Sequence, residues 1–182
     1  MDIVGFIFAR GGSKGLKNKN IKYISGKPLI AWSIELAKSV KEIRRLIVST
    51  DSNEVANIAK KYGAEVPFIR PRNISRDESP EWFAWQHALK YLEKNEGKLP
   101  DAMISIPSTS PLREKKDIVK CINLFSSERI DGVITITEAN RNPWFNMIKL
   151  NNKGFCKIVN EEGPTIYRRQ DAKKVYDMTT LA

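Results

Sequence analysis

The sequence predicts an α/β domain in which a mostly parallel sheet is flanked by helices on both faces. Short apolar segments alternate with amphipathic segments of helical period through the first 137 residues, and this alternation is typical of parallel sheets covered by helices. The apolar segments are all shorter than the roughly 18 residues that a transmembrane helix requires. With 182 residues, 41% of them hydrophobic, the chain is long enough to bury the core of one domain.

The predicted strands are short and apolar, as expected of strands that are buried on both faces. They comprise residues 2–9, 44–50, 65–69, 101–107 and 131–137. The first of them carries Asp2 where the start of a secretory signal would have a basic residue, so we interpret it as a strand.

The predicted helices alternate with these strands and bury one face each. The second begins at the N-cap Ser52 and ends at Gly63, and the third spans 81–95. The buried faces of the first, third and fourth helices are predicted to be Leu29, Trp32, Leu36, Ala37 and Val40; Trp82, Trp85, Leu89 and Leu92; and Ile118, Cys121, Ile122 and Phe125.

After about residue 138 the pattern changes to that of a β-hairpin. The segment PWFNMIKLNNKGFCKIV contains two potential strands joined by NNKG, in which Gly154 can adopt positive φ. We therefore predict an α/β domain over 1–137, a small β-rich arm over 138–176 and a return to the main domain over 177–182. The aromatic residues Trp144 and Phe145 suit either a subunit interface or a cover for the main core.

The chain has a formal net charge of +10. This excess favours an anionic partner, which could be nucleic acid, an acidic membrane surface or a small phosphorylated and carboxylated substrate. Cys121 and Cys156 are far apart and show no metal-ligand spacing, which fits a protein of the reducing cytoplasm. Because the sequence has no basic, aromatic-interleaved sheet and no recognition helix, we expect no nucleic-acid partner, and we expect no membrane partner.

The loop ARGGSKGLKNKN follows the first predicted strand. In open α/β sheets ligands bind at the carboxyl ends of the strands, so this loop, with Arg10, Lys14 and Lys19, is placed to bind phosphates. Gly11 and Gly12 allow backbone N–H groups to approach an anion closely. The loop has neither the G-x-G-x-x-G pattern nor the Walker pattern, so two common nucleotide-binding classes are excluded.

The segments ARGGSKGLKNKNI, GKPLIAWSIELA, LIVSTDSNEVANIAKKYGAEVPFIRP, TSPLR and RRQDAKKVYDMTTLA occur in this order over nearly the whole chain. Together they resemble the signatures of the CMP-sialic acid synthetase (acylneuraminate cytidylyltransferase) family. The resemblance implies a nucleotide-diphosphosugar transferase fold, which is Rossmann-like, with a dimerisation arm. It also implies a homodimer and a Mg²⁺-dependent reaction of CTP with an acidic nine-carbon sugar that yields a CMP-sugar and pyrophosphate.

The resemblance also implies roles for individual residues. Lys19 and Arg10 would be catalytic, and Thr109, Ser110, Arg169 and Gln170 would bind the sugar. The nucleotide-binding residues would be Arg10, Gly11, Gly12, Ser13, Lys14, Asn20, Arg70 and Ser79. Asp51 could be either a turn residue at the start of a helix or a nucleotide contact, and we favour the turn. For His87, the single histidine, we favour a packed side chain over a catalytic one.

Two departures from the family bear on the substrate. Most sialate enzymes have Gln-Pro before Thr-Ser-Pro-Leu-Arg, whereas this chain has Pro107 and Ser108, and Asp177 begins a segment that differs from the sialate Arg-Pro-Asn-Gly. These changes resemble the branch that acts on legionaminic-type nonulosonic acids. The resemblance therefore implies a 2-keto-3-deoxy nonulosonic acid of legionaminic or N-acetylneuraminic type as the substrate. An octulosonate-type cytidylyltransferase is the alternative within the same reaction class.

Members of the family usually continue for some tens of residues, through a strand and an acidic motif that binds Mg²⁺. We therefore expect the Mg²⁺ ligands to lie beyond Ala182 and the chain to be part of a longer enzyme; the metal ligands are unknown. A non-catalytic CTP-binding module without that metal site is the alternative to an enzyme.

Overall fold

The computed structural model describes residues 1–13, 15–163 and 166–179. The chain forms two compact units, Met1–Val133 and Ile134–Thr179. The first unit is an α/β domain and the second contains short antiparallel strand pairs. Residues 180–182, in the predicted return segment, lie outside the described residues. In the part of the chain that is described, no helix is long and apolar enough to cross a membrane.

The described residues of the first unit form five strands and four α-helices, in the order that the sequence analysis predicted for its main elements. In chain order they are β1 (Ile3–Phe8), β2 (Tyr23–Ile24), β3 (Lys27–Pro28), α1 (Leu29–Lys38), β4 (Ile43–Ser49), α2 (Asn53–Lys61), α3 (Glu81–Glu96), β5 (Ala102–Ser105) and α4 (Lys115–Ser127).

The main sheet has the strand order β4-β1-β5 and is parallel throughout. Its central strand β1 is buried along nearly its whole length, as expected of a parallel strand with helices on both faces. The small strands β2 and β3 form a separate antiparallel pair that leads into α1. The predicted fold class, a parallel sheet flanked by helices, is therefore confirmed.

Alternate residues of β1 pack into two apolar clusters on opposite faces of the sheet. Ile3 and Ile7 belong to the larger cluster, which contains apolar residues of α1, α2 and α4. Val4 and Phe6 belong to the smaller one, which contains Ala88 and Leu92 of α3. Three helices thus cover one face of the sheet and α3 covers the other.

The predicted third strand over 65–69 is wrong. In this segment only Glu65 forms a bridge, which is parallel and pairs with Ile47. Pro67 has no backbone N–H to donate to a neighbouring strand, so the segment does not extend the ladder. The chain continues instead to Arg70, whose N–H donates to the carbonyl of Thr50 at 2.7 Å.

The predicted fifth parallel strand over 131–137 is also wrong. The strand in this region is β6 (Ile136–Glu138), which pairs antiparallel with β9 (Tyr176–Met178) in the second unit. Its alternating sequence fits either kind of pairing, and the partner strand lies some forty residues further along the chain, beyond the range of a local pattern.

The predicted buried face of the third helix is only partly right. The buried residues of α3 are Ala84, Ala88 and Leu92, whereas Trp82 is 57% exposed and Leu89 is half-buried. The small alanines allow the helix to approach the sheet closely, and a search for large apolar residues overlooks them. The large aromatic side chains instead contact one another at the side of the helix, where Trp85 packs between Phe8 and Trp82.

The predicted helix ends are confirmed in α2. The Ser52 hydroxyl accepts a hydrogen bond from the N–H of Val55 at 3.3 Å, which satisfies one of the free donors of the first turn. Gly63 has φ +85° just beyond the helix end, a conformation that favours glycine.

The second unit contains the predicted hairpin. Strands β7 (Ile148–Leu150) and β8 (Cys156–Ile158) pair antiparallel, and Gly154 between them has φ +81°. Trp144 is half-buried, and its indole Nε1 donates to the carbonyl of Glu162 at 3.2 Å.

The burial difference along α3 predicts unequal effects of two identical substitutions. Leu92→Ala removes a side chain that is 1% exposed, so we expect it to lower the free energy of unfolding by about 2–5 kcal/mol. Leu89→Ala on the same helix should cost clearly less, because that side chain is half-buried. Urea denaturation of both variants measures the difference, and equal losses would contradict the described packing.

Candidate active site

The carboxyl ends of β1 and β5 border a cavity of about 400 Å³. Strand β1 has β4 on one side and β5 on the other. The strands that follow β1 in the main sheet are therefore added first on one side of β1 and then on the other. In open α/β sheets this switch point is the usual place for a ligand. Phe8 at the end of β1 and Pro107 after β5 both line the cavity, which places it at this point.

The cavity brings together most of the residues that the sequence analysis singled out in the first unit. Those that line it are Arg10, Ser13, Lys19, Asn20, Arg70, Ser79 and Thr109. Gly11, Gly12 and Ser110 belong to the same loops without lining the cavity, and Lys14 lies outside the described residues.

The cavity lining carries more positive than negative charge. Its cationic side chains are Arg10, Lys19, Arg70 and Arg76, and its acidic ones are Asp77 and Glu81. Together with the hydroxyl groups of Ser13, Ser79 and Thr109 they offer many hydrogen-bond donors in one concave site. Such an arrangement can bind a polyanion and stabilise charge that develops on it during a reaction.

Arg10 is paired with a carboxylate inside the cavity. Its Nη1 lies 2.5 Å from Oδ1 of Asp77, and both side chains are about one-third exposed, at 37% and 31%. The ion pair connects the loop after β1 with the loop that precedes α3. Asp77 is therefore a site residue that the sequence analysis missed, although its position in RDESPEW, next to Ser79, was the available signal.

Close packing against the start of α2 holds the glycine loop at Gly11. The Gly11 N–H donates to Oδ1 of Asp51 at 2.8 Å. A Cβ at position 11 would lie only 2.7 Å from the Cβ of Ser52, so no larger residue fits without a backbone shift. Asp51 thus has a structural role, but its side chain holds the glycine loop forty residues away, while Ser52 caps the helix.

The far end of the loop turns sharply before the cavity-lining lysine. Asn18 has φ +56° and precedes a single 3-10 turn over Lys19–Ile21. Asn20 is 7% exposed, and its Nδ2 donates to the carbonyl of Arg10 at 2.9 Å. Its Oδ1 accepts from the Ser108 hydroxyl at 2.7 Å. Asn20 therefore ties the two ends of the loop together.

Arg70 is 5% exposed and lines the cavity. Its Nε donates to the Ser75 hydroxyl at 2.9 Å. Burial lowers the pKa of its guanidinium, an effect that the charges of Asp51 and Glu81 oppose, and an arginine remains protonated at neutral pH. The sequence alone would also allow Arg70 to form an ion pair at the surface, but its side chain is buried.

The single histidine is packed, as the sequence analysis favoured. The imidazole of His87 contacts the edge of Phe68, with the ring centroids 4.8 Å apart. Burial, with a smaller effect of the nearby Arg70 charge, lowers the pKa of His87. Since His87 is not among the residues that line the cavity, we assign it no role in the chemistry.

Arg169 and Gln170 line a different cavity, of about 410 Å³, within the second unit. Its other cationic side chains are Arg141, Lys173 and Lys174. Arg169 donates from Nη2 to the carbonyl of Asn140 at 3.4 Å. The neighbouring Arg168 is engaged differently, because it forms a two-pronged ion pair with Asp171 at 2.7 and 2.9 Å.

The described residues do not form a recognisable metal site. Among residues 1–13, 15–163 and 166–179, no group of three or more His, Cys, Asp or Glu side chains is arranged to hold an ion. We therefore assign no metal ligand within this part of the chain.

Solved structures with the same fold include a CMP:2-keto-3-deoxy-manno-octonic acid synthetase in complex with CTP. The likeness covers 100% of this chain and 73% of that one, with a TM-score of 0.66 and 19% sequence identity. A 4-diphosphocytidyl-2C-methyl-D-erythritol synthase is similar over 99% of this chain and 73% of its own, with a TM-score of 0.63 and 7% identity. At these identities the likeness establishes the fold.

Sequence comparison reaches closer relatives. The chain is 38% identical to post-translational flagellin modification protein B of Campylobacter coli and 37% identical to the CMP-N,N'-diacetyllegionaminic acid synthase of Campylobacter jejuni. Both alignments extend over 177 residues, which are 97% of this chain and 74% of each relative. A family model described as cytidylyltransferase matches residues 4–180. The chain therefore belongs to the cytidylyltransferase family.

Proposed function

We propose that this cytidylyltransferase joins CTP to a 2-keto-3-deoxy nonulosonic acid and releases pyrophosphate. One observation carries the proposal: the cavity at the carboxyl ends of β1 and β5 collects Arg10, Lys19 and Arg70 around a site large enough for a small ligand. The relatives support the substrate class, since they include a synthase named for CMP-N,N'-diacetyllegionaminic acid and cytidylyltransferases named for pseudaminic acid and N-acylneuraminate.

In the proposed reaction the anomeric hydroxyl of the sugar acid attacks the α-phosphorus of CTP. A new P–O bond forms, the bond to the β-phosphate oxygen breaks, and pyrophosphate leaves with the electron pair. Such transfers depend on positioning and on charge stabilisation more than on covalent help from the protein. Arg10 and Lys19 would supply that positive charge from the two ends of the glycine loop.

The other residues that the sequence analysis singled out have proposed roles that follow from their positions in the chain. Gly12, Ser13 and Lys14 of the glycine loop would bind the triphosphate, while Arg70 and Ser79 would bind the cytidine. Thr109 and Ser110 follow β5 and would face the sugar acid. Arg169 and Gln170 of the second unit would bind the sugar acid of the neighbouring subunit in the proposed homodimer. Gly11 and Asn20 would hold the loop in place, since their polar groups already bond to Asp51, Arg10 and Ser108.

A legionaminic-type acid is the substrate that we favour. The relative named for N,N'-diacetyllegionaminic acid aligns over 97% of this chain, whereas the N-acylneuraminate cytidylyltransferase of Escherichia coli aligns over 76% at 33% identity. For the octulosonate alternative, the likeness to the octonic acid synthetase, at 19% identity, shows the fold alone. Pro107 and Ser108, which replace Gln-Pro of the sialate motif, are consistent with a changed acceptor side.

We further propose that the enzyme acts in the cytoplasm as a homodimer and depends on Mg²⁺. Neutralisation of a triphosphate is the chemistry that Mg²⁺ supplies in phosphoryl-group transfer. The second unit is the candidate dimerisation arm, because Leu150 and Phe155 of its hairpin are 67% and 68% exposed and large exposed apolar surfaces commonly mark interfaces.

Pyrophosphate release from CTP tests the substrate class directly. The complete gene product is incubated with Mg²⁺ and CTP plus N-acetylneuraminate, a diacetylated legionaminate or 3-deoxy-octulosonate. We expect the legionaminate to give the highest kcat/KM and EDTA to abolish release until Mg²⁺ is restored in excess. A preference for the octulosonate would contradict the proposal, and CTP binding without release with any sugar acid would favour the non-catalytic module.

Lys19→Ala tests the proposed charge stabilisation at the α-phosphate. We expect kcat to fall by about 10²–10³, the effect of removing one preorganised donor from a transition state. Lys17→Ala is the matched control, since Lys17 is an exposed lysine of the same loop that does not line the cavity. Steady-state pyrophosphate release measures both, and an equal loss in the two variants would indicate a general effect of charge.

Arg169→Ala tests the proposed role of the arm in sugar binding. Loss of a guanidinium that pairs with the sugar carboxylate should raise KM for the sugar acid by about tenfold or more, with KM for CTP little changed. Arg168→Ala removes an adjacent arginine that is paired with Asp171, so it serves as control. The role of Arg169 fails if the two variants give the same KM for the sugar acid.

A further inference from the structure

Ser108 connects the loop after β5, which is proposed to face the sugar acid, with the glycine loop, which is proposed to bind the phosphates. It lies in the loop after β5 and is 3% exposed. Its hydroxyl lies 2.7 Å from Oδ1 of Asn20, a residue 88 positions away in the sequence. Ser108, the next residue Thr109 and Asn20 all line the cavity.

The hydrogen bonds around Asn20 have a defined direction. The carbonyl of Arg10 can only accept, so the Asn20 group that lies 2.9 Å from it must be the donating NH₂. Oδ1 of Asn20 therefore faces Ser108, and the Ser108 hydroxyl must be the donor. Without that hydroxyl, Oδ1 of a buried amide would lose its partner, and burial of an unpaired acceptor is costly.

Asn20 in turn controls two cationic side chains. It follows Lys19 in the single turn Lys19–Ile21, and it holds the backbone of Arg10 at the start of the loop. Asp51 also holds Gly11, and Asp77 pairs with the Arg10 side chain, while the Asn20 amide adds the connection from this end of the loop to the turn that carries Lys19. A displacement of the amide therefore shifts both Lys19 and Arg10, and small displacements of reacting groups reduce rates strongly.

We infer that Ser108 is a positioning residue for the nucleotidyl transfer. Through Asn20 it fixes the positions of Arg10 and Lys19 relative to Thr109, which is proposed to face the sugar acid. This inference rests on the proposed function, since it concerns the rate of that reaction. It assigns Ser108 no contact with either substrate.

Ser33 provides a matched control. It is 2% exposed, and its hydroxyl donates to the carbonyl of Pro107 at 3.1 Å. Ser33→Ala and Ser108→Ala thus remove the same group from neighbouring buried sites at the same loop, and only the Ser108 hydroxyl bonds to Asn20. A merely structural role predicts similar consequences for both variants.

The experiment measures kcat, KM for CTP and the melting temperature of the complete gene product and its variants. We expect both alanine variants to melt at a lower temperature than the parent. Ser108→Ala should lower kcat about ten- to hundredfold with a smaller change in KM for CTP, while Ser33→Ala should keep kcat within about twofold. Ser108→Cys retains the volume with a weaker donor, and it replaces Ser108→Ala in the comparison if the latter does not fold.

A double-mutant cycle with Asn20→Ala completes the test. If Ser108 acts through Asn20, the double variant should lose little more activity than Asn20→Ala alone. The inference would be overturned if the activity losses of the two single variants multiply in the double variant, or if the Ser108 and Ser33 variants have equal kcat values. In either case, activity of the parent protein would still uphold the proposed function. A parent protein that neither binds CTP nor releases pyrophosphate would overturn both.

Discussion

Mutual repulsion among cationic side chains is the constraint that the loops around the cavity of the first unit must satisfy. Arg10, Lys19, Arg70 and Arg76 line one cavity, and like charges at short range in a partly buried site repel more strongly than in water. Neutral and acidic groups hold them in place. Asp51 fixes Gly11, Asp77 pairs with Arg10, and the buried Asn20 amide joins the two ends of the loop.

The parallel sheet supplies the rigid frame for this arrangement. Strand β1 is central and buried, so the residue at which it ends is fixed by packing on both faces. Loops that leave the carboxyl ends of β1 and β5 then meet at one edge of the sheet. The position of the cavity thus follows from the strand order of the sheet. Its positive charge comes from the residues of the loops that this strand order brings together.

Local patterns in the sequence predicted the features that depend on near neighbours. They identified β1, the Ser52 cap, the Gly154 turn and the glycine loop, because each of these needs only a few adjacent residues. Features that depend on distant partners were missed. The segment 131–137 pairs with β9 instead of joining the parallel sheet, and the Ser108–Asn20 hydrogen bond connects residues that no local pattern relates. Ser108 was noted only as a departure from the family motif, which was the one available signal.

The ion pair between Arg10 and Asp77 has a consequence for ligand discrimination. An anion that binds Arg10 at Nη1 competes with a carboxylate oxygen that already lies 2.5 Å from that nitrogen, so binding at this position is an exchange of counter-ions and not an addition to an unpaired charge. A ligand with a single negative charge gains little from such an exchange. A ligand with several charges also engages the other cations of the cavity and gains more. The Asp77 carboxylate therefore lowers the affinity of Arg10 for small, singly charged anions more than its affinity for polyanions.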